Sequence, residues 1–170
     1  GLAIMARYPI TAPAKMALPM IEKGQQRIAL RAGIELGDWT LPVVDVHLET
    51  RLNITDRILH LRPALLDLPD TVVVAGDVNT NPYLWEDGTV PLIPTAQVVD
   101  TDQAPILDDY MAGLGFATPS AGVGPTETKY GVESRLDAIY TRGLTVGEAH
   151  VERSVAGSDH WPVWVDVTLP

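Results

Sequence analysis

Short apolar blocks, several of them alternating with polar residues, recur along the chain and are typical of β-strands. The densest block covers residues 40–48 and contains the Val-rich run Val43-Val44-Asp45-Val46-His47. Residues 71–75 form a fully apolar run that ends at Gly76, as in a central strand covered on both faces. Gly37-Asp38 has the chemistry of a tight hairpin turn, which predicts antiparallel strands on either side of it. Further strands are predicted at residues 2–6, 16–21, 27–36, 135–141, 144–152 and 161–169.

Two stretches have the spacing of helices instead. Apolar residues recur every three or four positions across residues 54–67, with Asn53 as a candidate N-cap, and Pro63 should kink or split this helix. A shorter helix is predicted at residues 106–115, where glycine stops it. Strands with at least two helices between them predict a mixed α/β fold, with two packed sheets. The predicted long loops are residues 82–104 and 118–134.

The length of 170 residues suits one domain, and no repeat or linker divides it, so residues 1–170 are predicted to form a single domain. No run approaches about 18 apolar residues and the first residues lack the pattern of a signal peptide. We therefore expect a soluble protein without a membrane span. The absence of cysteine fits the cytoplasm and secretion equally, and nothing in the sequence indicates an oligomeric state.

Charge and composition exclude several kinds of ligand and active site. Twelve Lys and Arg against 22 Asp and Glu give a net charge of -10. This charge opposes nonspecific binding of long nucleic acids, because such binding depends on neutralising phosphates. With no cysteine, the chain has neither disulfides nor thiolate zinc sites nor a cysteine nucleophile. Carboxylates, amides and histidines remain for any catalysis.

Polar side chains gather where predicted strands end, the usual place for sites in open α/β sheets. His47 ends the strand 40–48, and a hydrogen-bonded structural role is its alternative interpretation. Asp77 and Asn79 follow the strand 71–75 and are two residues apart. In an extended chain such residues point to the same side, so both side chains can contact one ligand. The alternative is a turn in which both side chains bind backbone amides.

Two further places lie nearer the C-terminus. Arg135 and Asp137 share one face of a predicted strand, where a simple ion pair is the alternative. Asp159 and His160 lie on a loop before the last strand and combine an acceptor with a titratable imidazole. A solvated loop is the alternative there.

Taken in order, these motifs resemble those of the endonuclease/exonuclease/phosphatase superfamily, the DNase I-like metal-dependent phosphoesterases. They are His-Leu at 47–48, Gly-Asp-x-Asn at 76–79, Arg-x-Asp-x-Ile at 135–139 and Ser-Asp-His-x-Pro-Val at 158–163. The opening residues 1–10 also resemble the family's Gly-x-x-Ile-Leu-Ser-Arg-x-Pro-Ile segment. The resemblance spans essentially the whole chain.

The resemblance implies a four-layer sandwich of two mixed β-sheets flanked by helices, which hydrolyses phosphate esters with Mg²⁺ or Mn²⁺ by in-line attack of water. In the family, an Asn and a metal-binding Glu precede the segment that resembles residues 1–10. Glu22, Glu35 and Glu49 do not have the context of that Glu. The chain is therefore expected to be the C-terminal two-thirds of a domain, truncated at its N-terminus.

Roles carried over by the resemblance make Asp77 the group that orients or deprotonates the water and Asp137 the group that orients His160. His47, Asn79 and Arg135 would bind the substrate's phosphate, with His160 stabilising its charge. Asp159 and Asp77 would hold the metal. The substrate is expected to be a phosphate ester, as a small molecule, a lipid headgroup or a nucleic-acid end. The alternative is a catalytically silent binding module, or an inactive fragment, with the same fold.

Other prominent side chains are expected to be structural. Arg57 and His60 are expected on the helix surface, with His60 paired to Asp56. His150 is expected to face water. Trp161 and Trp164 are expected to pack in the core.

Overall fold

The computed structural model describes residues 1–21, 24–86, 103–129 and 132–170, and its elements confirm the predicted mixed α/β class. Within these residues the α-helices are α1 (Ile54–Leu61) and α2 (Gln103–Gly113), and short 3₁₀ turns cover Arg62–Leu65 and Pro119–Gly122. The strands are β1 (Ile10–Ala17), β2 (Ile28–Leu36), β3 (Trp39–His47), β4 (Val72–Asp77), β5 (Glu127–Lys129), β6 (Val132–Ser134), β7 (Asp137–Arg142), β8 (Thr145–Val151) and β9 (Val163–Thr168).

A mixed five-stranded sheet in the order β1-β2-β3-β4-β7 forms the centre of the fold. Its neighbours are antiparallel except for β3 and β4, which are parallel and are joined through α1. A parallel pair needs such a crossover, because a tight turn reverses the chain. The pairs β5-β6 and β8-β9 form two small antiparallel sheets, so in the described residues the strands divide into one large and two small sheets.

The hairpin predicted at Gly37-Asp38 is confirmed, since Leu36 pairs with Trp39 across it and Gly37 has a φ of 67°. The core combines Val44 and Val46 of β3 with side chains of both helices. It therefore lies between the central sheet and the helices. Among the described residues, no helix is long and apolar enough to cross a membrane.

The N-terminal strand predictions are wrong in part. Residues 2–6, predicted as a strand, form none, and Met5 is 91% exposed. Their alternation is strand-like, but a strand persists only when a neighbour pairs with it, and β2 pairs with Ile10–Ala17 instead. The strand predicted at 16–21 overlaps β1 only at Met16 and Ala17, which are the last two residues of β1. The predicted loop 118–134 contains a 3₁₀ turn and the β5-β6 hairpin, and most of the loop 82–104 lies outside the described residues.

Helix α1 confirms the predicted start at Ile54 and the break near Pro63, where the chain continues as a 3₁₀ turn. Asn53 does not cap the helix with its side chain. The expectation that Arg57 and His60 lie on the surface is wrong, because both are fully buried. Backbone groups at the ends of β3 and β4 need partners here, and these two side chains supply them.

The last two strands expose one of the predicted core aromatics. Trp164 is 39% exposed and lies against the ring of His150, with 5.7 Å between the ring centroids. His150 faces solvent, as predicted, whereas Trp161 is half-buried beside Arg153. Trp164 is wrongly predicted because its strand alternates, and the valines rather than the tryptophan point inward.

Burial of His60 predicts a pH-dependent stability. Burial lowers the pKa of His60 to about 4, against about 6.5 in the unfolded chain. Between these values the unfolded state binds the proton and the folded state does not, so stability falls as the pH falls. We expect His60 to account for roughly 2 kcal/mol of lost unfolding free energy between pH 7 and pH 4.5. Urea unfolding at both pH values should show a smaller loss for His60→Gln.

The matched control is His150→Gln, since His150 is exposed. It should keep the pH dependence of the unmodified chain. An equal loss of stability in His60→Gln and the unmodified chain would show that His60 does not titrate in this way.

Candidate active site

Three neighbouring strands bring three of the predicted site residues into one row. His47 ends β3, Asp77 ends β4 and Asp137 begins β7. The register pairs His47 with Asp77 and Asp77 with Asp137. Adjacent strands lie about 4.8 Å apart, so the three side chains can interact. The His47 Nε2 and Asp77 Oδ2 atoms are 3.5 Å apart.

The chain can make this row because Gly76 has no side chain. Gly76 has a φ of 139°, and a Cβ there would overlap the carbonyl oxygen of Val46 on β3. After Asp77 the chain turns through Asn79, whose φ of 52° lies in the left-handed region that Asn tolerates. The backbone N–H of Asn79 donates to Asp77 Oδ1 at 2.9 Å, and its side-chain amide donates to the carbonyl of Leu48 at 2.9 Å. The alternative prediction, a turn in which Asp77 and Asn79 bind backbone groups, is therefore partly correct. The turn engages only the Oδ1 oxygen of Asp77.

His160 reaches the same row from the loop before β9. The bridge between Glu127 and His160 fixes this loop, and the N–H of Trp161 donates to the carbonyl of Thr126 at 2.7 Å. His160 Nδ1 lies 2.8 Å from Asp137 Oδ2. The resemblance predicted this pairing.

Thr126 supports the pair and was not predicted. Its buried hydroxyl donates to Asp137 Oδ2 at 2.7 Å and accepts the N–H groups of Leu136 and Asp137, each at 3.0 Å. Asp137 Oδ2 is thereby held between Thr126 and His160. Thr126 lies in a polar loop without periodicity, so no local pattern in the sequence marks it.

His47, Asp77, Asp137 and His160 form the cluster at this site. Their surroundings raise the pKa values of two of these side chains, His160 and Asp77. The hydrogen bond to Asp137 raises the pKa of His160 to about 9, so this imidazole is a cation at neutral pH. Burial, and then repulsion by Asp137, raises the pKa of Asp77 to about 6. A carboxylate with a pKa near neutrality and a fixed imidazolium therefore face the same space.

His47 has the opposite character, because of Arg27. Arg27 Nη1 lies 3.1 Å from His47 Nε2, and a guanidinium can only donate, so Nε2 must accept. Burial, and then Arg27, lowers the pKa of His47, which leaves the ring neutral with its proton on Nδ1. Arg27 Nε is fixed in turn by Glu49 Oε2 at 3.1 Å.

Arg27 and Glu49 were missed as members of the site, although the sequence held a signal for them. The register in which Ala29 pairs with Val46 places residue 27 opposite residue 48, between His47 and Glu49. The predicted hairpin turn sets this register. Counting outward from the turn would therefore have found Arg27.

Asp77, Asp137 and His160 form a group that could hold a metal, with one ligand atom from each lying within 4.8 Å of the others. The two carboxylates offer the oxygen ligands that hard cations such as Mg²⁺ prefer. His160 fits a metal less well, because its Nδ1 is engaged by Asp137 and its raised pKa keeps the ring protonated. The donor chemistry thus fits a hard cation held mainly by carboxylates.

One of the other two predicted residues, Arg135, lies apart from this group. The guanidinium of Arg135 pairs with Asp108 of α2 at 2.5 Å, and Arg135 is not among the described residues that line the cavity at the site. The side chain of Asp159 is exposed, next to His160 in the chain. His47, Asp77, Asn79, Asp137 and His160 are brought together.

A cavity of about 320 Å³ opens beside the cluster. Asp77, Asn79 and His160 line part of this cavity, and Tyr83 and Trp85 line another part. This volume lies at the small end of the range for ligand pockets. The polar cluster therefore faces a space that can hold a small molecule.

No family model matches the sequence, and the curated proteins gave no match to it. Solved structures do match. An endonuclease/exonuclease/phosphatase from Bacteroides vulgatus is 15% identical, with a TM-score of 0.68 over 96% of this chain and 67% of that chain. The mannosyl-6-phosphatase Bt3783 of Bacteroides thetaiotaomicron VPI-5482 is 15% identical, with a TM-score of 0.60 over 95% and 67%.

D. rerio TDP2, solved with a single-strand DNA product, is 16% identical, with a TM-score of 0.60 over 92% of this chain and 67% of that chain. The chain thus spans about two thirds of the length of the solved proteins that it matches. At these identities the likeness establishes the fold. The chain therefore has the DNase I-like fold of the endonuclease/exonuclease/phosphatase proteins, over about two thirds of their length.

Proposed function

We propose that this chain carries the site of a metal-dependent phosphoesterase, in which an activated water attacks a phosphate ester in line. The observation that carries the proposal is that Asp77, at the end of β4, lies opposite Asp137, at the start of β7, and that Asp137 binds His160. The solved proteins of the same fold add support, since one is a phosphatase by name.

Three side chains could donate hydrogen bonds to a phosphate. His160 uses Nδ1 for Asp137, so its protonated Nε2 can donate, and its positive charge would stabilise the developing negative charge. His47 keeps a proton on Nδ1 because Arg27 binds Nε2. Asn79 gives one amide hydrogen to Leu48 and retains the other.

Asp77 is the candidate base. Its Oδ1 accepts the N–H of Asn79, and its Oδ2 faces His47 Nε2, which is itself an acceptor. Oδ2 is therefore the oxygen that can accept a proton from an attacking water. In the metal-free chain, burial and Asp137 raise the pKa of Asp77 to about 6, so most of this carboxylate is ionised at neutral pH and can accept a proton.

The carboxylates of Asp77 and Asp137 would hold a Mg²⁺ or Mn²⁺ ion. Asp159, which the family resemblance names as a metal ligand with Asp77, is the further candidate. When bound, the ion would neutralise charge on the phosphate and on the leaving oxygen. Because hard cations need several oxygen ligands, this chain alone should bind Mg²⁺ weakly.

Metal binding can be tested without any activity. We expect added Mn²⁺ to broaden the NMR signals of residues around Asp77 and Asp137, since its unpaired electrons act over short distances. Asp137→Asn should weaken this binding, whereas Asp166→Asn, which alters an exposed carboxylate on β9, should not. Equal broadening in both variants would place the ion elsewhere and would favour a catalytically silent binding module.

A further inference from the structure

The cavity at the site is also lined by two aromatic residues that the proposed chemistry does not use. Tyr83 and Trp85 line the same cavity as Asp77 and His160. The two rings meet edge to face, with centroids 6.2 Å apart and an interplanar angle of 80°. A molecule whose phosphate lies at the cluster would therefore have an aromatic wall within the same cavity.

This wall is held in place by hydrogen bonds from two asparagines. Asn53 binds Trp85 twice, because its amide nitrogen donates to the Trp85 carbonyl and its oxygen accepts the Trp85 N–H, each at 2.8 Å. Asn81 Oδ1 accepts the indole N–H of Trp85 at 2.9 Å, and its amide nitrogen donates to the carbonyls of Thr50 and Asn79. Asn79 itself binds Asp77. The wall is thus tied to the catalytic turn.

These bonds also limit what Trp85 can offer a ligand. The indole N–H is the only polar group of a Trp side chain, and Asn81 already occupies it. Contact with the indole must then be apolar, through its π-face or its edge. Such a surface suits stacking by a planar ring.

The charged residues that line the cavity limit how many phosphate groups its ligand can carry. Among the described residues that line it, Asp77 and Glu127 are acidic and none is Lys or Arg. A second phosphate would therefore meet acidic side chains and no Lys or Arg among these described lining residues. The volume of about 320 Å³ also fits one small ligand.

We propose that Tyr83 and Trp85 form a subsite for a planar aromatic ring, so that the substrate is a phosphate ester that carries one such ring and a single phosphate. The ring stacks on the indole of Trp85 while the phosphate lies at Asp77, Asn79 and His160. This inference rests on the proposed function for the position of the phosphate.

The test uses phosphonates, whose carbon-phosphorus bond is not hydrolysed. Methylphosphonate, cyclohexylphosphonate and phenylphosphonate are titrated calorimetrically into the chain in the presence of Mg²⁺. We expect phenylphosphonate to bind about tenfold more tightly than methylphosphonate, with cyclohexylphosphonate in between, because stacking adds to apolar burial. The phosphonate analogue of AMP, titrated alongside, distinguishes a nucleotide from an aryl ester as the source of the ring, according to which of the two binds more tightly.

Variants then assign the preference to the wall. Trp85→Leu should reduce the ratio of phenylphosphonate affinity to methylphosphonate affinity to about one, while Trp85→Phe, which loses the same indole N–H bond to Asn81, should retain part of this preference. Trp39→Leu, at the exposed hairpin turn of β2 and β3, is the matched control and should retain all of it.

The outcomes separate the two proposals. Equal binding of all three phosphonates, tighter binding of the cyclohexyl compound, or an unchanged preference in Trp85→Leu would overturn the aromatic subsite alone. If no phosphonate binds and inorganic phosphate does not bind either, the phosphate site and the subsite both fail.

Discussion

Replacing Asp77 by Asn is expected to lower kcat for phosphoester hydrolysis by on the order of 10²-fold to 10³-fold, the range for losing a general base. The variant is close to isosteric, and its amide oxygen can still accept the N–H of Asn79. What it loses is the negative charge, and with it the ability to take a proton from water and to hold the metal as a carboxylate. The rate should be measured with bis-p-nitrophenyl phosphate and Mg²⁺, in this chain or in a longer protein that contains it.

The same assay with His160→Ala should show a comparable loss, because the imidazolium held by Asp137 would no longer stabilise charge. His150→Ala is the matched control, since His150 is exposed on the β8-β9 sheet, and it should be as fast as the unmodified protein. EDTA should abolish the activity. Full activity in EDTA, or an Asp77→Asn variant as fast as the unmodified protein, would contradict the proposed function.

Replacing Arg57 by Met is expected to reduce the free energy of unfolding by about 4 kcal/mol, because it leaves several buried carbonyls without a donor. The Arg57 guanidinium donates through Nη1 to the carbonyls of Glu49 and Val78, both at 2.9 Å. Its Nη2 donates to the carbonyl of Leu52 at 2.6 Å, and its Nε donates to Gln103 Oε1 at 3.0 Å. One side chain thus joins the segments that follow β3 and β4 to helix α2.

The methionine side chain follows that of arginine only as far as Nε, so the loss would combine unpaired carbonyls with the space left by the buried guanidinium. Urea unfolding of Arg57→Met should be compared with that of Arg62→Met, which alters an exposed arginine next to the same helix. The control should lie within about 0.5 kcal/mol of the unmodified chain. Similar stabilities of the two variants would show that the Arg57 network contributes little.

The central part of the sheet could be predicted because its residues act locally. The valines of β3 and β4 encode buried strands, and Gly37-Asp38 encodes the turn that sets the register of β2 on β3. Residues 2–6 have an equally strand-like pattern but no partner. Whether a strand finds a partner depends on residues far away in the sequence, and a local pattern carries no information about them.

The site could be predicted where a motif carries its own geometry, as Asp77 and Asn79 do after Gly76. Arg57 was assigned to the wrong environment because a charged residue on a helix is usually solvated. Its burial depends on carbonyls of two separate segments, one after β3 and one after β4, which become neighbours only in the folded chain. Thr126 escaped prediction for the same reason, since its partners lie on β7 and just before it.

The way in which His160 reaches the cluster links local unfolding to ligand affinity. Its loop is attached to the β5 segment by backbone bonds, from the N–H of Trp161 to the Thr126 carbonyl and from the N–H of Thr128 to the Asp159 carbonyl at 3.1 Å. If this attachment opens, the imidazolium leaves the cluster, and the apparent affinity for phosphate falls by the fraction of closed molecules. Amide hydrogens of Thr128 and Trp161 would then exchange with solvent together, and a bound phosphate would slow both by the same factor.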